Sequence, residues 1–216
     1  MATKLSEAAN IDNIRFQEQA AAPDTPASGY GRVWVTDDGT AHYKNDAGTD
    51  VSLVVSAEIY LPAREGIPAV TAGSAALAQS ETTTNDVNYQ SLDFDQTTQE
   101  HAHFHLMMPD DWDAGTITFK AIWTAASGTG TVIFGLQGIS FANDDALDTA
   151  FGTAVTVTDT LLATGDLHVT PTSTAITIGG TPTTGEFVVL RVYRDIADTL
   201  NADAKLIGIK LYYTRL

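Results

Sequence analysis

The sequence predicts an all-β chain: a jelly-roll-like β-sandwich preceded by an extended N-terminal arm and a small β-meander. Three observations predict it. Short segments of alternating apolar and polar residues recur with turn signals about every 8–12 residues, the spacing of a sandwich or barrel. No sustained helical period appears, so the amphipathic helices that βα units require are missing. Hydrophobic residues make up 44% of the 216, enough to build a folded core. The expected organisation is an arm and proline-rich linker over 1–28, a meander over 29–55, and a sandwich head over 56–216.

In the arm, Leu5, Ala8, Ile11 and Phe16 are too sparse for an amphipathic helix. Pro23 and Pro26 keep the linker extended, because each fixes its own φ and biases the preceding residue away from helix. Fully extended, the arm and linker reach about 90 Å. Such a segment cannot bury its apolar residues alone and orders only on a partner. The residues placed to make that contact are Leu5, Ile11, Ile14, Phe16, Pro23 and Pro26. In the meander, Val33 and Val35 alternate with Arg32, Trp34 and Thr36. Asp37-Asp38-Gly39 and Asn45-Asp46-Ala47-Gly48 supply turns, since Asp and Asn bond their own backbone and Gly allows positive φ. Thr40–Lys44 and Thr49–Val55 complete three strands.

The head opens with a strand at Ala57–Leu61, and Pro62 and Pro68 mark an irregular connection. Ala69–Thr84 carries no assignable pattern. Tyr89–Phe94 alternates as a strand. Glu100–Met108 and Thr116–Ala125 follow, with Ile117, Phe119, Ala121 and Trp123 on one face of the second. Thr131–Phe141 is almost wholly apolar and therefore buried. Asn143–Ala150 reads as one helical turn or an acidic loop. Ala154–Thr158, Leu167–Thr170 and Ala175–Ile178 are short strands. Glu186–Arg194 and Leu206–Thr214 close the chain, the last expected inside a sheet or at a protomer interface. A double sheet of eight strands, the jelly roll, suits this count.

A net charge of −16, from 27 acidic against 11 basic residues, excludes sequence-independent nucleic-acid binding, which needs clustered Lys and Arg. There is no cysteine, hence no disulfide, thiolate nucleophile or cysteine-ligated zinc. No segment approaches the roughly 20 apolar residues that span a bilayer, so no membrane is expected as a partner. The first residues lack the apolar run of a signal peptide, and synthesis in the cytoplasm is expected.

His101, His103 and His105 project from one strand face, roughly 6.5–7 Å apart. Two neighbouring imidazoles can share a metal with a ligand from elsewhere; the alternative is a solvent-facing or interface strand face, with Ala102, Phe104 and Leu106 turned to the core. Asp110-Asp111-Asp113 and Asp144-Asp145-Asp148 are calcium candidates only in the loosest sense, because neither matches the EF-hand loop; hydrated turns are the plainer reading. Glu58 and Asp93 can be written as a carboxylate pair, but nothing in the sequence brings them together. No G-x-S-x-G, H-E-x-x-H or P-loop occurs. Trp34, Trp112 and Trp123 are candidates for a sugar-stacking platform, although Trp123 reads as core and Trp112 as a plug at one end of the sandwich. Arg191 and Arg194 with Asp195 read as structural pairs. No residue is assigned a catalytic role, and no cofactor is expected.

One stretch carries a more specific pattern: Pro23-x-Thr25-Pro26-x-x-Gly29, Arg32-Val33-Trp34, Asp38-Gly39 and Tyr43-Lys44-Asn45-Asp46-x-Gly48-Thr49, ending on Leu53. It resembles a segment of tailed-bacteriophage virion proteins that joins an attachment segment to a distal β domain. His101–Trp123 with Val188–Arg194 resembles the β-sandwich heads of such proteins. The resemblance implies a non-enzymatic virion component on the outer capsid surface, a homotrimeric decoration or cement protein. Its partner would be the major capsid protein, bound through the N-terminal region across neighbouring subunits. The alternative it leaves open is a tail or fibre module binding a host-surface glycan or receptor, which predicts an exposed aromatic and polar pocket on the head. A small β-sandwich hydrolase would need a nucleophile or metal motif that the sequence does not supply.

Overall fold

The structure, a computed structural model, describes residues 18–19, 21–36, 41–53 and 56–216. Leu5, Ile11, Ile14, Phe16 and the Asp37-Asp38-Gly39 turn lie outside the described residues. The chain divides into two compact units, with the break between Val55 and Ser56.

The first unit is one sheet of four strands, β1 (Glu18–Gln19), β2 (Arg32–Thr36), β3 (Ala41–Lys44) and β4 (Asp50–Ser52), paired in that order. β2, β3 and β4 form the expected antiparallel meander. β1 is an addition: residues read as arm pair parallel with β2. The linker is likewise not a free extended segment. Lys44 Nζ donates to the Pro23 carbonyl at 2.8 Å, Arg32 Nη1 to the Asp24 carbonyl at 3.1 Å, and the Gly29 amide to the Asp46 carboxylate at 2.7 Å. Pro26 is buried and Pro23 half-buried. Proline stiffness keeps the segment extended, but the meander's own side chains, two donors and one acceptor, hold it down. Trp34 is the buried aromatic of this unit, its ring 4.8 Å from that of His42.

The second unit is all β apart from one 3₁₀ turn at Ala63–Glu65. Its strands are β5 (Ser56–Pro62), β6 (Ile67–Pro68), β7 (Ala78–Glu81), β8 (Asn88–Phe94), β9 (His101–Met107) and β10 (Thr118–Thr124). They continue with β11 (Thr131–Phe141), β12 (Val155–Thr160), β13 (His168–Val169), β14 (Phe187–Arg194) and β15 (Ala204–Thr214). One sheet runs β13-β10-β15-β8-β7, with β5 also on β15; the other runs β12-β11-β14-β9-β6. From β8 onward the pairing is that of a long ribbon folded at its middle. β11 pairs with β12, β10 with β13, β9 with β14 and β8 with β15, all antiparallel. Rolling that ribbon adds the β10–β15 and β11–β14 contacts and gives the jelly roll. β15 is central: β10 lies along one side, and β8 then β5 along the other.

Between the sheets sit Phe94, Phe104, Phe119, Trp123, Phe134 and Leu136, all fully buried. Phe134 meets Phe94 and Trp123 edge-on, each at 6.2 Å. Burying side chains of this size contributes about 1.5–3 kcal/mol each. The register of β10 on β15 slips between Ile122 and Trp123, opposite Gly208 and Leu206, so Ile207 is an extra residue. Before it Ala204 and Leu206 face the core; after it Ile209, Leu211 and Tyr213 do. The bulge changes the phase of the strand and keeps both halves apolar-in.

Arg194 is also fully buried at one edge of this core. Its Nε and Nη2 bond the Asp198 carboxylate at 2.8 and 3.0 Å, and its remaining donors reach the carbonyls of Phe94, Leu200 and Ala202. The partner expected from sequence was Asp195; it is Asp198, since Asp195 instead accepts from the Ala197 amide in its own turn.

Ala175–Ile178 does not form the expected strand. Ile176 bridges to Ile117 beside one sheet, whereas Gly179 bridges to Ile139 of the other. A segment crossing between sheets cannot run along either. Asn143–Ala150 is a loop, turned by the Asp145 carboxylate accepting from the Ala142 amide at 2.8 Å. The unassigned stretch Ala69–Thr84 contributes β7, the first arm of a hairpin with β8.

Candidate functional site

The outer face of the second sheet is built by strand alternation. On β9, Ala102 and Phe104 face the core, so His101, His103 and His105 face out, as the sequence predicted for the core-facing residues. Register then fixes what stands beside each. Gly135, Tyr193 and His101 form one row across β11, β14 and β9; Gln137, Arg191 and His103 form the next; Ile139, Val189 and His105 the third. Gly135 matters here because a Cβ at that position would stand 2.2 Å from the Tyr193 ring, which lies over it.

Two connections wall this face. Ile67 to Thr71 runs beside β9, held by the Ala69 amide donating to the His101 carbonyl at 3.0 Å. On the far side the loop after β11 returns across the face and is pinned by the Gly152 amide on the Gly138 carbonyl at 2.9 Å. That pin places the Phe151 ring parallel to His103, 5.9 Å away, with the Arg191 guanidinium 4.5 Å from its centroid. The first wall, the three histidines and Arg191 line a groove of about 400 Å³. A second depression of about 280 Å³, lined by Phe151, Leu147 and Phe187 among others, adjoins it at His105.

The polar groups in the largely apolar groove are of one kind. Its lining includes no carboxylate. Burial pushes the His101 and His103 imidazoles below the ordinary histidine range, and the Arg191 charge pushes in the same direction. His101 Nδ1 and His103 Nε2 are buried without a hydrogen-bond partner from the protein. Gln137, with its amide oxygen facing Arg191, accepts from Nε at 2.6 Å and from Nη2. Arg194, Lys205, Lys210 and Arg215 each pair with a carboxylate, whereas no carboxylate pairs with Arg191 among the described residues. The structural pair read for Arg191 from sequence is therefore absent.

Other candidates are placed elsewhere. Among the described residues no group of three His, Asp or Glu side chains is arranged to hold a metal ion, and that covers the histidine face and both acidic loops. Asp111 binds Arg215 and Tyr213, and Asp113 accepts from the Gly115 amide. Glu58 pairs with Lys210 and Asp93 with Lys205, so each carboxylate is tied to its own lysine. The tryptophan platform is overturned, because Trp34, Trp112 and Trp123 are all buried. Phe151, Gln137 and the Ile67–Thr71 wall were not found from sequence. Each enters through a loop return or cross-strand register, and the local pattern carries no signal of either.

No protein-family model matches the chain, and no curated protein matches it. Among solved structures, the chain is similar to an Arthrobacter globiformis T6 isomalto-dextranase complexed with panose. The identity is 14%, over 75% of this chain and 24% of that one, with a TM-score of 0.43. It is also similar to the CBM36-1 domain of a multidomain xylanase from the hindgut metagenome of Trinervitermes trinervoides (10%, 72% and 96%, TM-score 0.39). A third is a family 11 carbohydrate-binding module from Clostridium thermocellum in complex with a β-1,3-1,4-mixed-linked tetrasaccharide (13%, 71% and 94%, TM-score 0.38). Likenesses this distant carry no weight for ligand or activity.

Proposed function

We propose that the chain is a non-enzymatic structural protein of a tailed-bacteriophage virion. It decorates the outer capsid surface as a homotrimer and binds the major capsid protein through its first unit. The observation that supports this is the apolar row on the first sheet. Val33, Tyr43 and Val51 are in register across β2, β3 and β4 and are 44%, 40% and 50% exposed. Leu53, beyond β4, is 47% exposed. A contiguous apolar strip on a small separate unit suits a protein-contact surface, and it lies on the stretch whose pattern resembles the virion-protein segment that joins an attachment segment to a distal β domain. Capsid binding through three linked first units would gain avidity without new contacts.

The test is to mix purified protein with capsids lacking it and locate added density by cryo-EM. Density across capsid-subunit junctions, lost in a Val33→Asp/Val51→Asp variant, is the expected result; absence from the shell in the unmodified protein refutes it.

A second reading is favoured by the groove on the second unit: a head that binds host-surface glycan. Open, side-chain-lined, with both apolar and polar groups, it has the make-up of a small-ligand site. Protein immobilised on a glycan array tests it directly, and a blank array sinks it.

A further inference from the structure

We propose that the groove over β9 and β14 recognises a carboxylate-bearing sugar, with the Arg191 guanidinium receiving the carboxylate. This rests on the glycan-binding reading of the head and is independent of capsid attachment. Charge complementarity carries it. The chain has a net charge of −16, yet the groove lining holds Arg191 and three histidines and no acidic residue. Arg194 on the same strand is paired with the Asp198 carboxylate, whereas Arg191 has no carboxylate partner among the described residues. Gln137 takes Nε and Nη2, and the Phe151 ring supports one face of the guanidinium. This orients a planar cation without neutralising it, and leaves donors for a second, anionic acceptor.

The groove also argues for a sugar over a peptide. Its floor is a sheet face, where main-chain groups are already used in the β9–β14 and β11–β14 ladders. Over β14, paired on both sides, an extended peptide would meet no free main-chain group, so recognition there falls to side chains. Ile67 and Val70 stand 51% and 106% exposed on the wall, apolar surface suited to the C–H face of a pyranose. His101 and His103 offer ring nitrogens to hydroxyls. At neutral pH burial and Arg191 keep these two imidazoles uncharged. The charged or titratable groups facing them are Arg191 and Tyr193 on β14 and His105 on β9. An arriving carboxylate offsets the Arg191 charge, so it raises their proton affinity and binding tightens as pH falls.

The experiment is calorimetry on the full chain with trigalacturonic acid and 3′-sialyllactose, against galactotriose, lactose and sodium acetate. At least one acidic sugar is expected to bind at least about tenfold tighter than its neutral counterpart, the size of one charge-assisted pair. Arg191→Gln is expected to remove that difference and Arg191→Lys to restore part of it. Because Arg191→Gln can disturb the Phe151 stack, the ring proton signals of His103 are followed in the unmodified protein, where the acidic sugar is expected to raise its titration midpoint. Equal binding of neutral and acidic sugars overturns the carboxylate while leaving the glycan reading standing. Acetate competing as well as the sugar overturns the sugar. Binding of none of the five overturns both.

Discussion

Arg191 and Arg194 lie three residues apart on one strand and meet opposite fates. Strand alternation turns Arg194 inward, where five donors find two carboxylate oxygens and three carbonyls. Desolvating a guanidinium costs several kcal/mol, and a complete shell of acceptors offsets it. Removing the arginine alone strands the Asp198 carboxylate, whose side chain is 2% exposed. Arg194→Ala is expected to lose about 3–5 kcal/mol in urea unfolding, and Arg194→Met combined with Asp198→Leu to lose less than that. Equal losses would mean the cost is lost packing and not an orphaned charge. Arg191, turned outward, keeps its charge available. The sequence places both on β14 and cannot say which carboxylate, if any, each will meet, because Asp195 and Asp198 differ only in how the following turn folds.

At the element scale, most strands were legible. Period-two alternation located β2, β8 and β10, and a continuous apolar run located β11. The failures share a cause. β1, β7 and the crossing segment around Ile176 owe their conformation to the strand beside them, not to their own pattern. β15 shows the point inside one element: its apolar residues occupy even positions, then odd ones, and only the extra residue Ile207 reconciles them. Deleting Ile207 sets Leu206 and Gly208 on consecutive positions opposite Trp123 and Ile122, so both halves of β15 keep their core side chains inward on an unbulged strand. That deletion is expected to keep a cooperative thermal transition, whereas deleting Ile207 and Gly208 together turns Ile209, Leu211 and Tyr213 outward and is expected to abolish cooperativity and to raise dye binding to exposed apolar surface. A single deletion that loses its cooperative transition would show that the bulge itself is needed, and a cooperative double deletion would refute the argument from strand phase.

For the whole molecule, the buried cluster from Leu61 to Tyr213 lies entirely within the second unit. A domain of that size with its own core holds enough buried apolar surface to fold alone. A chain of residues 56–216 is therefore expected to unfold with the same midpoint as the corresponding transition of the full protein. On the proposed function it is also expected to be missing from particles assembled in its presence. A fragment that fails to fold would refute the first expectation, and one that still decorates capsids would move attachment to the head.

The sequence by itself determined that the chain is all β, which faces of its strands are apolar, and that its surface is acidic. These follow from residue type and local period, which act over a few neighbours. The tertiary structure decided the jelly-roll pairing, the depth of Arg194, the return of the Phe151 loop and hence the groove with its single unquenched arginine. Those depend on which strands lie side by side, and that is set by contacts between residues far apart in the chain.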